Sequence, residues 1–463
     1  MNTIINNKVH LFFRLATSFL LLALIGCSFN IDETITYNLL PTPPTPVSIN
    51  FVGHWLNEGE RENFVRNIAR EYEFKNQHIK INLKFPEEIF YDQLDRKSNE
   101  KFTAKVVAEG ITDWDILRIN GEYREVYDIL KDSDWAKKSL VDFSQIEEFR
   151  EGTIPEILNG NAKDEWNGIV PGPFVEGQYW ALWCNRKVAE KVGIEVKQFG
   201  MTFNDFVGYL KAVKDYNDRN PNDQIKAIFE SYVWETTQAL AFGLFSSLMD
   251  SPEEFLSYEI TEKRLDAWQK TLEALELISA FKPIDPQWKT TEWTETQKDF
   301  LDEKYLFYVN GSWMYNIWKG IDEKKTLNCM PTEFPGFKPH VIYPAAYQVT
   351  WGVLKNSPHR DEAVKFLLSM NKPDIAEMWS RYSKCPTGIK GNLASSNFGG
   401  DQFENFSNYV QTNFGTDIYR YYQSAGWVLD LNHTNTNIYF RDVIDGEMSA
   451  SAAMQKIRNS IGR

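Results

Sequence analysis

Apolar and polar positions first fall into a regular pattern at residues 48–55, where Ile49, Phe51 and Val52 crowd into a short run ending at Trp55. Such a run reads as a buried strand. Over 60–75 the spacing turns helical, with Phe64, Val65, Ile68, Ala69 and Tyr72 on one face. Strand period returns at 78–85 through Ile79, Ile81, Leu83 and Phe85. A helix over about 91–109 and a strand over 114–119 follow. This β-α-β-α-β order predicts an α/β lobe with a largely parallel sheet. Further strands are expected at 168–171, 179–184, 305–309 and 349–354, the third running into Gly311, Ser312 and Trp313. Thr202 and Asp205 have capping-box spacing ahead of a helix that holds Phe206, Leu210 and Val213. Ser357 and Pro358 offer an N-cap and a first-turn proline for a helix over 361–370. Helical patterns dominate 234–281 and the aromatic C-terminal stretch, which closes with a helix at 449–461.

The N-terminus has a different pattern. Lys8 and Arg14 precede an apolar run at 15–25, about ten residues and too short to span a bilayer as a permanent helix. Leu24, Ile25, Gly26 and Cys27 resemble the lipobox of bacterial lipoproteins. That resemblance implies a signal peptide of residues 1–26, cleavage before Cys27, and a lipid on its thiol. Residues 27–47 include Pro41, Pro43, Pro44 and Pro46 and read as a semi-extended tether. Ser28 follows the cysteine, where an Asp would retain a lipoprotein at the inner membrane of a two-membrane cell; which membrane holds the anchor stays open.

The remaining stretch of about 415 residues exceeds what one hydrophobic core organises, so two lobes are expected. Net charge is −14, and loss of Lys8 and Arg14 with the leader makes it −16. An acidic chain of this kind argues against nucleic acid as a partner. Cys184, Cys329 and Cys385 are far apart and odd in number, which argues against a disulfide framework or a zinc cluster. No metal site and no cofactor are expected. Most of the 15 Trp should be core, but a surplus of this kind also suits a cleft in which flat rings meet sugar faces.

Several segments stand in a familiar order. Asp113, Trp114, Asp115 and Ile116 come first, then Gly168 to Pro171 and the stretch Ala181-Leu182-Trp183-Cys184-Asn185-Arg186-Lys187. Val192-Gly193-Ile194, Met201 to Phe206, the run from Phe300 to Trp313, Asp361 to Leu367 and Cys385-Pro386-Thr387 complete the set. Together they resemble extracellular solute-binding proteins of family 1, the sugar-binding subunits of ABC importers. The family usually has Tyr where this chain has Cys184. The resemblance implies a two-lobed periplasmic-binding-protein fold, α/β, each lobe a mainly parallel sheet flanked by helices. Lobe one would hold 48–173 and 338–372, lobe two 174–337 and 373–463, with ligand captured between them by hinge closure. It also implies a monomer whose partners are a saccharide and membrane permease subunits, held outside the cytoplasm by the lipid anchor.

A saccharide stacks its C–H faces on aromatic rings and needs oriented donors and acceptors for its hydroxyls. Trp55, Asn57 and Glu58 sit at the carboxyl end of the first strand, where open α/β sheets place ligands. Asp113 and Asp115 flank the start of the next strand. Glu176, Gln178, Tyr179 and Trp180 lie in the crossover, and Trp234 and Glu235 follow a strand-like run. By the resemblance, Trp313 is the ring that stacks on the sugar. Tyr347 and Trp351 lie on the return to lobe one, and Arg381 and Tyr382 precede Cys385. Each of these residues has an ordinary structural alternative in core, cap or solvated face.

Two other classes share this palette. A sensor would deliver ligand to a membrane receptor instead of a permease. A glycoside hydrolase would need two carboxylates at a fixed separation. The chain lacks HExxH, GxSxG, a P-loop and a strand-linked GxGxxG, so no catalytic residue is expected.

Overall fold

The computed structural model describes residues 44–53, 59–85, 114–120, 135–159, 168–230, 236–251, 254, 259–291, 293–339, 343–391, 402–413, 419–421 and 437–462. Residues 47–463 form one compact unit; of the other, 1–46, only 44–46 are described. The leader, Cys27 and the helix expected at 91–109 lie outside the described residues. No helix among the described residues is long and apolar enough to cross a membrane.

β1 (Val47–Val52) and β2 (Ile79–Lys84) pair in parallel, with Ile49 beside Ile81. Their alternate positions Ile49, Phe51, Ile79 and Ile81 are buried, whereas Lys80 and Asn82 face outward. Between them α1 (Glu60–Lys75) adds Phe64, Val65, Ile68 and Ala69 to the same core. β3 (Ile116–Asn120) joins β1 in parallel.

Short helical turns at Trp135–Ser139, Glu147–Gly152 and Pro155–Asn159 lead to β4 (Glu176–Asn185), α2 (Arg186–Val192), α3 (Phe203–Arg219) and β5 (Lys226–Ile228). Then come α4 (Thr236–Ser246), α5 (Glu262–Ser279), α6 (Trp293–Leu301), β6 (Tyr305–Gly311), α7 (Met314–Ile321) and β7 (Cys329–Thr332). β8 (Tyr343–Val353), α8 (Arg360–Met370), α9 (Pro373–Ser383), α10 (Gln402–Asn413), β9 (Tyr419–Tyr421), α11 (Asn437–Ile444) and α12 (Ala450–Ser460) finish the chain.

The strands follow the order β2-β1-β3-β8-β4-β6-β5, with β7 also on β4 and β9 on β8. Among the described strands, parallel pairing joins β1 with β2 and β3, β5 with β6, and β8 with β9. β4 and β8 run antiparallel to their partners on the main path, so the sheet is mixed where mainly parallel lobes were expected. These are the strands by which the chain passes between halves of the sheet, and each arrives from the opposite direction. β6 is buried at every position, as an interior strand covered on both faces must be.

The capping box of α3 forms: the Asp205 amide donates to Thr202 Oγ1 at 3.2 Å, and the Thr202 amide donates to Asp205 Oδ2 at 2.9 Å. Two local expectations are corrected. Residues 168–171 form no strand, because the Val170 amide donates to Asp142 Oδ1 at 3.0 Å and its carbonyl accepts from Phe143 at 2.8 Å, leaving no ladder to build. α8 starts at Arg360, within one residue of the expected 361, but its N-cap is His359, so Ser357 is not the cap and Pro358 lies before the first turn. Ser357 instead accepts from the His359 amide at 3.0 Å and donates to Asp115 Oδ1 at 2.5 Å. Trp379 of α9 packs edge-on against Phe64 of α1, ring centroids 4.8 Å apart.

Candidate functional site

β4 passes from one half of the sheet to the other. Residues 176–179 pair with β8 and residues 180–184 with β6. The changeover therefore falls between Tyr179 and Trp180. Strand alternation sends Gln178 and Trp180 to one face, Tyr179 and Ala181 to the other. Tyr179 is fully buried against Phe406, with centroids 5.1 Å apart. Trp180 remains half-buried and meets the half-buried Trp313 edge to face, 4.9 Å between centroids at 85°. Pairs of this kind add about 0.5–1.5 kcal/mol beyond their buried area.

The turn after β6 explains where the Trp313 ring lies. It fills the space that a Cβ on Gly311 would occupy, so a side chain at 311 would displace it. Ser312 is held from both sides: its amide donates to the Tyr179 carbonyl at 2.8 Å, and its Oγ accepts from the Tyr179 amide at 3.4 Å. Gln178 is 7% exposed and its Oε1 is buried without a hydrogen-bond partner. Asn316, in the first turn of α7, donates Nδ2 to the Ser383 carbonyl at 3.0 Å, and its Oδ1 likewise has no partner. Two partly open indole rings thus stand near amide oxygens that lack donors. The two rings offer the stacking faces that a saccharide needs.

Behind this face lies a buried ion pair. Arg61 Nη2 donates to Glu176 Oε1 at 2.6 Å, with both side chains inaccessible to solvent to within 2%. The same Nη2 reaches Cys385 Sγ at 3.4 Å, and that thiol donates to Ser312 Oγ at 3.3 Å. Burial, reinforced by the Glu176 charge, pushes the Cys385 thiol up to about 11, so it remains a neutral donor. Removing one member of such a pair costs about 3–5 kcal/mol, because the other is left buried and charged. Arg61 was not foreseen. In Glu60-Arg61-Glu62 it reads as part of a solvated helix start, and nothing local signals a partner 115 residues away. Its neighbour Glu60 approaches Lys319 of α7 at 3.7 Å, a half-exposed contact.

The other candidates are placed as follows. Trp55, Asn57, Glu58, Asp113, Trp234 and Glu235 lie outside the described residues. Tyr347 is on β8, opposite Gly177. Asp115 is buried, with Oδ2 accepting from the Asn50 amide at 2.7 Å and Oδ1 from Ser357. Trp351 is fully buried, edge-on to Phe51 at 5.4 Å. Arg381 is exposed and pairs with Glu377 along α9 at 2.7 Å. Tyr179 and Trp351 offer no open ring face, because interior strands are covered on both sides. Buried Glu230 caps α4, accepting from the Thr237 amide at 2.7 Å. Among the described residues no group of His, Cys, Asp and Glu could hold a metal ion, and Cys184, Cys329 and Cys385 are free and buried.

Residues 72–401 match the family of bacterial extracellular solute-binding proteins. No curated protein matches the chain in sequence. Apo RafE from Streptococcus pneumoniae aligns with a TM-score of 0.63 at 16% identity, covering 91% of this chain and 98% of RafE. RafE in complex with raffinose gives 0.57 at 15% identity, over 89% of this chain and 99% of that one. Maltose-bound MalE3 of T. maritima gives 0.59 at 13% identity, over 90% and 99%. At these identities the likeness establishes a shared fold, the two-lobed architecture of periplasmic binding proteins. The family match spans most of the chain and is one of binding proteins rather than enzymes; the chain belongs to the bacterial extracellular solute-binding protein family.

Proposed function

We propose that this protein captures a sugar or oligosaccharide by hinge closure and delivers it to an ABC importer. The observation behind this reading is the half-open Trp180–Trp313 pair at the changeover of β4. The family supplies the setting, outside the cytoplasm. RafE with raffinose and MalE3 with maltose, similar in fold, supply the ligand class. In this proposal Trp313 and Trp180 stack on the sugar. Lobe one holds 48–173 and 338–372, and lobe two holds 174–337 and 373–463. Cys27 bears a lipid that keeps the protein at the membrane, close to its permease.

The purified full-length protein in detergent, melted with a panel including raffinose, stachyose and maltose, tests this. A saccharide at one hundred times its Kd stabilises the folded state by about 2.7 kcal/mol. The expected result is a dose-dependent rise in Tm with at least one member, and intact sugar recovered by chromatography. A flat response across the panel, or hydrolysed product, overturns the reading.

A further inference from the structure

Stability is a poor reason for the Arg61–Glu176 pair. Desolvating two charges offsets most of their attraction, and apolar residues of similar volume often replace such pairs without loss. Its position is more telling. Arg61 lies on α1 in the first half of the sheet, and Glu176 opens β4. Cys385 follows α9, and Ser312 follows β6 in the second half. One guanidinium therefore touches two of the segments that pass between halves, and through the Cys385 thiol it reaches a third. Ser312 is in turn locked to Tyr179 and immediately precedes Trp313, while Glu176 lies four residues before Trp180 on the same strand. The Gly177 amide donates to the Pro386 carbonyl at 2.7 Å, tying the segment of Cys385 to β4 once more.

We propose that Arg61 is a positioning residue of the saccharide cleft, holding the Trp180 and Trp313 rings in register through Glu176 on one side and through Cys385 and Ser312 on the other. The proposal rests on the saccharide reading above. It assigns the buried pair to site geometry rather than to ligand contact, since neither Arg61 nor Glu176 has an accessible surface to offer.

The test uses the full-length protein, with raffinose and maltose titrated calorimetrically. The double variant Arg61→Met/Glu176→Met removes both charges and keeps the volume. It is expected to melt within about 2 °C of the parent while its affinity falls about tenfold or more. Cys385→Ala, which breaks the link to Ser312, should also weaken binding several-fold, and Cys385→Ser, which keeps a donor there, should restore it. Unchanged affinity in the double variant overturns the proposal. So does a large loss of Tm in it, which makes the pair a stability element. Loss of affinity in the double variant with none in Cys385→Ala overturns it too, since Glu176 would then act directly. If the parent itself binds neither sugar nor any other panel member, the saccharide reading fails first and the proposal falls with it.

Discussion

β4 holds two tryptophans three residues apart, and each meets another tryptophan from the segment after β6. Trp183 meets Trp318 with centroids 5.1 Å apart at 88°; Trp180 meets Trp313 at 4.9 Å and 85°. Their ring geometry is nearly the same. Their surroundings differ. Trp183 and Trp318 are fully buried, with Trp183 Nε1 donating to the Asn310 carbonyl at 2.9 Å, and Phe300 and Phe403 closing the cluster. Trp180 and Trp313 lie over a glycine and remain half-open. An odd separation along a strand places Trp180 and Trp183 on opposite faces. The contrast teaches that edge-to-face packing identifies neither core nor site. What separates them is whether helices close over the rings.

The largest effect that would break this comparison belongs to the buried pair. Trp183→Ala should destabilise the fold by about 3–5 kcal/mol, read as a fall in Tm of about 3–6 °C for a chain of this size. Sugar affinity should change little in whatever fraction stays folded. A melt like that of the parent would show that the Trp183 cluster is not core. Trp313→Ala should do the reverse. Its cost in stability should stay below that of Trp183→Ala, since part of the ring is already exposed, while the saccharide-induced rise in Tm disappears. If the rise persists, the half-open pair is not where the sugar stacks.

The smallest effect concerns the Glu60–Lys319 contact between α1 and α7. An exposed pair of this kind contributes about 0.2–1 kcal/mol. Lys319→Met should therefore weaken sugar binding by no more than about fivefold at low salt, and the difference should vanish near 1 M salt, where the screening length is about 3 Å. A salt-independent loss would mean that Lys319 acts by packing and not by charge.

Much of the architecture is legible in single segments. The alternation in β1 and β2, the apolar run of β6 and the Thr202–Asp205 box each need only neighbours along the chain, and each forms. Segments whose state depends on distant partners are less readable. Residues 168–171 are apolar enough for a strand, but their backbone groups are taken by Asp142 and Phe143. Ser357 has the chemistry of an N-cap, but its hydroxyl is drawn to Asp115, 242 residues away. The candidate site divides the same way. Trp180 and Trp313 could be named from their place in the chain, whereas Tyr179 and Trp351 look equally suitable until the sheet covers them.

By itself the sequence determined most of the strands and helices, the need for two lobes, the family, and the aromatic and amide palette near the crossover, because periodicity, capping and motif order are local properties. Only the tertiary structure decided which rings stay open, that β4 and β8 run against their neighbours, and that Arg61 finds Glu176 and Cys385 across 115 and 324 residues. Burial and long-range pairing belong to the packed chain. A half-open tryptophan and a buried one have the same letter until helices close over one of them.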